Sequence, residues 1–87
     1  MTLYGLYGIT HGWARVLTVM SPDGAAAVAA HIQPGPDIVA ETGVGQLPVY
    51  QEKRDGALAA LIARYGIAVL DKAQWDAKKS ELGDGVW

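Results

Sequence analysis

The spacing of hydrophobic and polar positions changes period several times along this chain, and each change marks an element. Residues 3–10, Leu3-Tyr4-Gly5-Leu6-Tyr7-Gly8-Ile9-Thr10, mix aliphatic and aromatic positions with two glycines. Each glycine would cost a helix interior about 1 kcal/mol, whereas in a strand glycine marks a bulge or the close approach of another backbone, so a strand is predicted. After the pair His11-Gly12, residues 13–20 alternate, with Trp13, Arg15, Leu17 and Val19 on one face and Ala14, Val16, Thr18 and Met20 on the other. This run reads as the second arm of a hairpin. Tyr4 and Tyr7 then point to opposite faces of the first arm unless a bulge intervenes.

Ser21-Pro22-Asp23-Gly24 is compatible with a turn or with a helix start. The five alanines within residues 25–30 favour helix, with Ser21 as N-cap, Pro22 at the first helical position and Asp23 against the dipole. Gln33-Pro34-Gly35-Pro36 ends that element. Residues 37–42 hold Ile38-Val39-Ala40, a short strand, and residues 43–48 form a loop. Leu58, Leu61, Ile62 and Tyr65 fall at i, i+3, i+4 and i+7, which predicts a helix starting near Pro48 or Asp55, with Gly66 as its left-handed C-cap. Ile67-Ala68-Val69-Leu70 suits a buried strand. Asp71 and Gln74 have the spacing of a capping box, opening a last helix to about Leu82. The expected fold is α+β over residues 1–87 as one compact domain. It would be a small, mainly antiparallel sheet, an N-terminal hairpin plus one or two short strands, packed against two or three helices.

Composition narrows the function classes. Apolar residues make up 51% and charged residues 18%, against roughly 45–50% and about 25% in ordinary globular chains, so the chain is expected to fold. At 87 residues its core is thin, because a chain of this size buries little more than about 60% of its unfolded surface. There is no cysteine, hence no disulfide, thiolate metal site or cysteine nucleophile. Residues 1–6 show no secretory pattern and no apolar run reaches the roughly 18 residues of a membrane span, which points to the cytoplasm. A net charge of −2 and a pI near 5.5 argue against nucleic acid as a partner, since phosphate binding needs a dense basic surface.

Candidate chemistry is sparse. His11 lies beside a turn glycine and His31 near the end of the alanine-rich helix, and no HxxH or HExxH spacing joins them. Ser21 reads as a cap and Ser80 as an exposed helix residue, neither placed as a nucleophile. Gly43-Val44-Gly45 lacks the third glycine or the Lys-Ser/Thr of a phosphate loop. The expectation is no catalytic, cofactor-binding or metal residue. The alternative is a small metal-dependent enzyme or ligand-binding protein centred on His11 and His31, with Asp37 or Glu41 as a further ligand.

Charge and aromatic usage point instead to protein binding. Only Arg15, Asp23, Asp37 and Glu41 are charged within residues 1–51, whereas residues 52–87 carry twelve charges. Residues 24–32 have no charge and residues 56–65 only Arg64, so neither helix has an ordinary polar outer face. The aromatic residues are four Tyr and three Trp with no Phe, a bias that suits half-wet surfaces and interfaces. The function expected is that of a small non-enzymatic protein-binding module, resembling accessory or inhibitor proteins of bacteria and phages by analogy alone. It would self-associate or dock on a larger protein through the charge-poor N-terminal half, using Tyr4, Tyr7, Trp13, Leu58, Ile62 and Tyr65.

Overall fold

The computed structural model describes residues 2–10, 12–22, 28, 30–41 and 48–83. In chain order these contain strands β1 (Tyr4–Thr10), β2 (Trp13–Met20), β3 (Ile38–Glu41) and β4 (Val49–Glu52), helix α1 (Ala57–Tyr65), strand β5 (Ala68–Leu70) and helix α2 (Lys72–Leu82). The strands form one sheet in the order β3-β4-β2-β1-β5. The pairings β1–β2, β2–β4 and β3–β4 are antiparallel, and β5 joins β1 in parallel. The architecture is α+β with a mixed sheet.

Three short strands accompany the hairpin, one more than expected. The additional strand is β4, at residues expected to end a loop and begin a helix. Val49-Tyr50-Gln51-Glu52 alternates half-buried with buried positions, but Glu52 takes an inward position, so its charge hides the period-2 signal. Helix α1 consequently starts late, at Ala57, after Gly56 in the left-handed region at φ 92°. Val28, Ala30 and His31 are helical, and the Ile32 amide donates to the Val28 carbonyl at 3.0 Å. Pro22, expected at the first helical position, lies in a turn, and Ser21 before it is buried; Asp23, Gly24, the hairpin residue His11 and the loop at 43–47 lie outside the described residues.

Both faces of the sheet carry a core. On one face Leu3, Leu17, Val19 and Tyr50 are buried against Val28, Ile32, Leu58, Leu61 and Ile67. On the other, Met20 and Trp75 are buried, with Tyr4, Leu6, Leu70 and Leu82 packed around them. Helix α2 lies mainly over the β1–β5 side of this second face, with Trp75 also reaching Met20 of β2. Val16, Thr18, Val49 and Gln51, further across the sheet, stay half-buried.

Local signals set the helix ends. Gly66 adopts φ 64° and donates its amide to the Ile62 carbonyl, closing α1. Asp71 accepts the Gln74 amide at 2.8 Å while Gln74 accepts the Asp71 amide at 3.1 Å, a complete capping box. No helix among the described residues is long and apolar enough to cross a membrane. Tyr50 is buried and its hydroxyl donates to the Ile32 carbonyl at 3.3 Å, tying β4 to the helical segment. Burial, and secondarily Tyr65, raises the Tyr50 pKa above the ordinary 10.0.

Gly5 sets how closely β1 can be covered. A Cβ there would stand 2.5 Å from Leu17 Cδ1 and 2.9 Å from Ile67 Cγ2, so both side chains lie directly over the strand backbone. Gly5→Ala is therefore expected to overpack the core and lower the unfolding free energy by about 1–3 kcal/mol. Urea denaturation with an unchanged m-value checks this, and an equally stable variant would show that the close approach is absent.

Candidate functional site

The far end of the β1–β2 hairpin departs from regular pairing. Tyr4 to Gly8 pair in register with Met20 to Val16, but Thr10 pairs with Trp13, so one residue of β1, Ile9, faces two of β2, Ala14 and Arg15. This is a β-bulge, and its extra residue resets the alternation. Directly paired residues share a face. Val16 and Trp13, three apart on β2, pair with positions only two apart on β1, so Trp13 stands on the face of Val16. The expected grouping of Trp13 with Arg15, Leu17 and Val19 is corrected, because the bulge turns Trp13 over.

The consequence is a cation placed against an aromatic ring on each face. Trp13 carries Lys53, whose Nζ lies 5.5 Å from the ring centroid. Tyr7 carries Arg15, with Cζ at 5.6 Å. The hydrogen bond to Tyr7, and next the charge interaction with Tyr7, raise the Arg15 pKa above its ordinary value. Arg64 over Tyr65 and Lys78 over Tyr4 repeat the pattern. Such contacts occur roughly once per 70–80 residues in proteins, so four among the described residues is a high number for a chain of this length. Tyr4, Tyr7 and Tyr65 pack at the boundary of the core with a cation beside the ring, whereas Trp13 belongs to neither core cluster. Between the aromatic pairs, Ile9 is 86% exposed, far more than Val39 or Val69, the other large apolar residues described as exposed.

The structure separates the residues expected to bind a partner. Tyr7 and Trp13 are brought to one end of the hairpin on opposite faces, both half-buried. Tyr4 lies under Lys78 in the α2 cluster. Leu58 is fully buried, and Ile62 and Tyr65 pack against the same core. The outward residues of α1 are Ala59, Ala60, Ala63 and Arg64. The helix therefore presents alanine to water, and its large side chains are covered by the chain's own sheet. The spacing of charges alone does not distinguish a covered helix from an alanine-faced one.

Ile9, Arg15, Lys53 and Glu52 are not among the residues expected from the sequence to bind a protein partner. The bulge that gathers the first three has no residue signature. Glu52 is fully buried, and neither carboxylate oxygen has a hydrogen-bond partner among the described residues. Its register partners are Arg15 on β2 and Ile38 on β3, yet Arg15 is turned to Tyr7. The neighbouring Arg54 pairs with Asp37, and the Lys53 amide donates to the Asp37 carbonyl at 3.0 Å, fastening the ends of β3 and β4.

Of the alternative metal site, His31 is exposed on the helical segment, Asp37 is held by Arg54, Glu41 is exposed at the end of β3, and His11 is outside the described residues. Among the described residues no three His, Asp or Glu side chains converge in a metal-ligating group. No family model, curated protein or solved structure matches this chain.

A buried carboxylate without partners is a net cost, of about 1–3 kcal/mol or more. Replacing it with an apolar side chain of similar length removes that cost. Glu52→Met is expected to raise the unfolding free energy by about 1–3 kcal/mol, measured by chemical denaturation at neutral pH. A destabilised variant would mean instead that Arg15 pairs with Glu52 in solution.

Proposed function

We propose that this chain is a small protein-binding module without catalytic machinery of its own, of the accessory or inhibitor type, and that it engages its partner through the far end of the β1–β2 hairpin. The observation that carries the reading is the exposure of Ile9 between two aromatic–cation pairs. Tyr, Trp and Arg are the residues that dominate binding energy at protein interfaces, particularly around an apolar anchor. Lys53 and Arg15 keep the rings partly hydrated in the free protein, and a partner's surface takes the place of that water. The same proposal puts the protein in the cytoplasm, a reducing compartment in which a chain free of cysteine loses nothing.

The outer face of α1 contributes little to this reading, because alanine offers small contact area. The interface therefore lies within the charge-poor N-terminal half, supplemented by Lys53.

The test begins with sedimentation and with capture of a partner from the host's lysate by the tagged chain. Affinity for the captured protein is then measured with Ile9→Ser. Because Ile9 is exposed, stability is expected to change by no more than about 0.5 kcal/mol, while affinity falls at least about tenfold. Unchanged affinity in both Ile9→Ser and Trp13→Ala would remove the hairpin end from the interface. A lone protomer that captures nothing would remove the module reading itself.

A further inference from the structure

The two neighbours of β1 differ in length, and the difference leaves part of one edge open. β2 accompanies β1 from Tyr4 to Thr10, whereas β5 accompanies it only from Tyr4 to Leu6, the last rung being Leu6 with Leu70. After Leu70 the chain turns at Asp71 into α2, which leaves the plane of the sheet and packs on one face. Among the described residues no strand continues the β5 position alongside the second half of β1.

The backbone groups on that edge can be assigned. The Leu3 carbonyl accepts the Ala68 amide at 2.9 Å, so Leu3 turns its backbone groups toward β5. Alternate residues of a strand turn them the same way, which gives Gly5, Tyr7 and Ile9 the same direction. Parallel pairing of Leu6 with Leu70 uses the Tyr7 amide. The Tyr7 carbonyl and the Ile9 amide and carbonyl meet no further strand among the described residues.

Side chains around the opening suit a particular occupant. Beside it, on the α2 face, lies an open groove of about 330 Å³ lined by Leu6, Gly8, Ile9, Val16, Thr18 and Lys72, with part of Tyr7. The groove is apolar apart from Thr18 and the Lys72 ammonium, which pairs with Asp76 at 2.9 Å. On the opposite face Arg15 sits over Tyr7. A strand added there would send alternate side chains to the two faces. One set would enter the apolar groove, and the other would reach the Arg15 guanidinium.

We infer that the edge of β1 from Tyr7 to Ile9 receives an extended segment of a protein partner, which continues the sheet where β5 stops and alternates apolar with acidic residues. This rests on the protein-binding reading and names the partner's chemistry and its mode of docking. Main-chain hydrogen bonds supply affinity in such strand addition, and the side-chain pockets supply selection. The exposure of Ile9 follows from the same geometry, since an edge residue with no neighbouring strand loses cover on that side.

The probes are a short peptide alternating valine with glutamate, the same peptide with lysine for glutamate, and the acidic peptide N-methylated at alternate residues. Amide spectra of the full chain are recorded during titration, with Ile9→Ala and Ile9→Pro beside the wild type. The acidic peptide is expected to shift the amides of Tyr7 to Thr10 and to slow exchange of the Ile9 amide, while the lysine and N-methylated peptides bind at least about tenfold more weakly. Ile9→Pro and Ile9→Ala lose the same side chain, but only proline lacks the donor, so Ile9→Pro is expected to weaken binding at least about tenfold beyond Ile9→Ala. Proline is tolerated at an edge position, and if Ile9→Pro fails to fold the N-methylated peptide carries the same comparison. Equal binding of the acidic and lysine peptides, shifts confined to other strands, or no binding by any peptide overturns the inference. Concentration-dependent shifts of the same amides without peptide also overturn it, because the occupant is then a second copy. If Ile9→Ser loses the captured partner while Ile9→Pro and Ile9→Ala bind it equally, strand addition is wrong and the module reading stands.

Discussion

Strand β1 is used in two different ways along its length, and the rest of the structure follows from the change between them. From Tyr4 to Leu6 it has a strand on each side and a helix-built core on each face. There Gly5 brings Leu17 and Ile67 onto the backbone itself. Beyond the Tyr7 amide its one neighbouring strand among the described residues is β2, and at Ile9 the pairing bulges. The first half acts as the centre of the fold and the second as its open margin. A short chain gains stability mostly where apolar area is covered on both faces, so the two halves differ in stability as well as in pairing.

Scarcity of charge in the first half of the chain is resolved in two ways. Leu3, Leu17, Val19, Met20, Val28, Ile32 and Tyr50 are buried outright, and Tyr4, Leu6, Tyr7, Trp13, Val16, Ile38 and Val49 are half-buried. Where a helix meets water, as at Ala59, Ala60 and Ala63 of α1, the outward residue is alanine, whose exposure costs little. The apolar exposure that remains conspicuous is Ile9. Alanine on the outer face of α1 thus lets that helix meet water without another chain over it.

Local chemistry made parts of the fold legible in the sequence. The capping box at Asp71 and Gln74, the left-handed Gly66 and the i, i+3, i+4, i+7 apolar stripe of α1 each act within a few residues, so spacing alone reveals them. The opposite placement of Tyr4 and Tyr7 was legible from strand alternation before the bulge. β4 was hidden because Glu52, a charge, occupies an inward position. Trp13 was assigned to the wrong face because a bulge depends on how two strands meet and not on either strand's residues. Of the candidate site, the aromatic members Tyr7 and Trp13 were legible from composition. Ile9, Arg15 and Lys53 were not, since their proximity arises from long-range pairing.

Amide hydrogen exchange of the free protein tests the division of β1 most directly. Gly5 and Ile9 turn their amides to the same edge, Gly5 toward β5 and Ile9 past its end. The Gly5 amide is expected to exchange only through global unfolding, and the Ile9 amide rapidly, near the rate of an unstructured chain. Protection of Ile9 comparable to that of Gly5 would contradict the account, because that edge of the strand would already be filled.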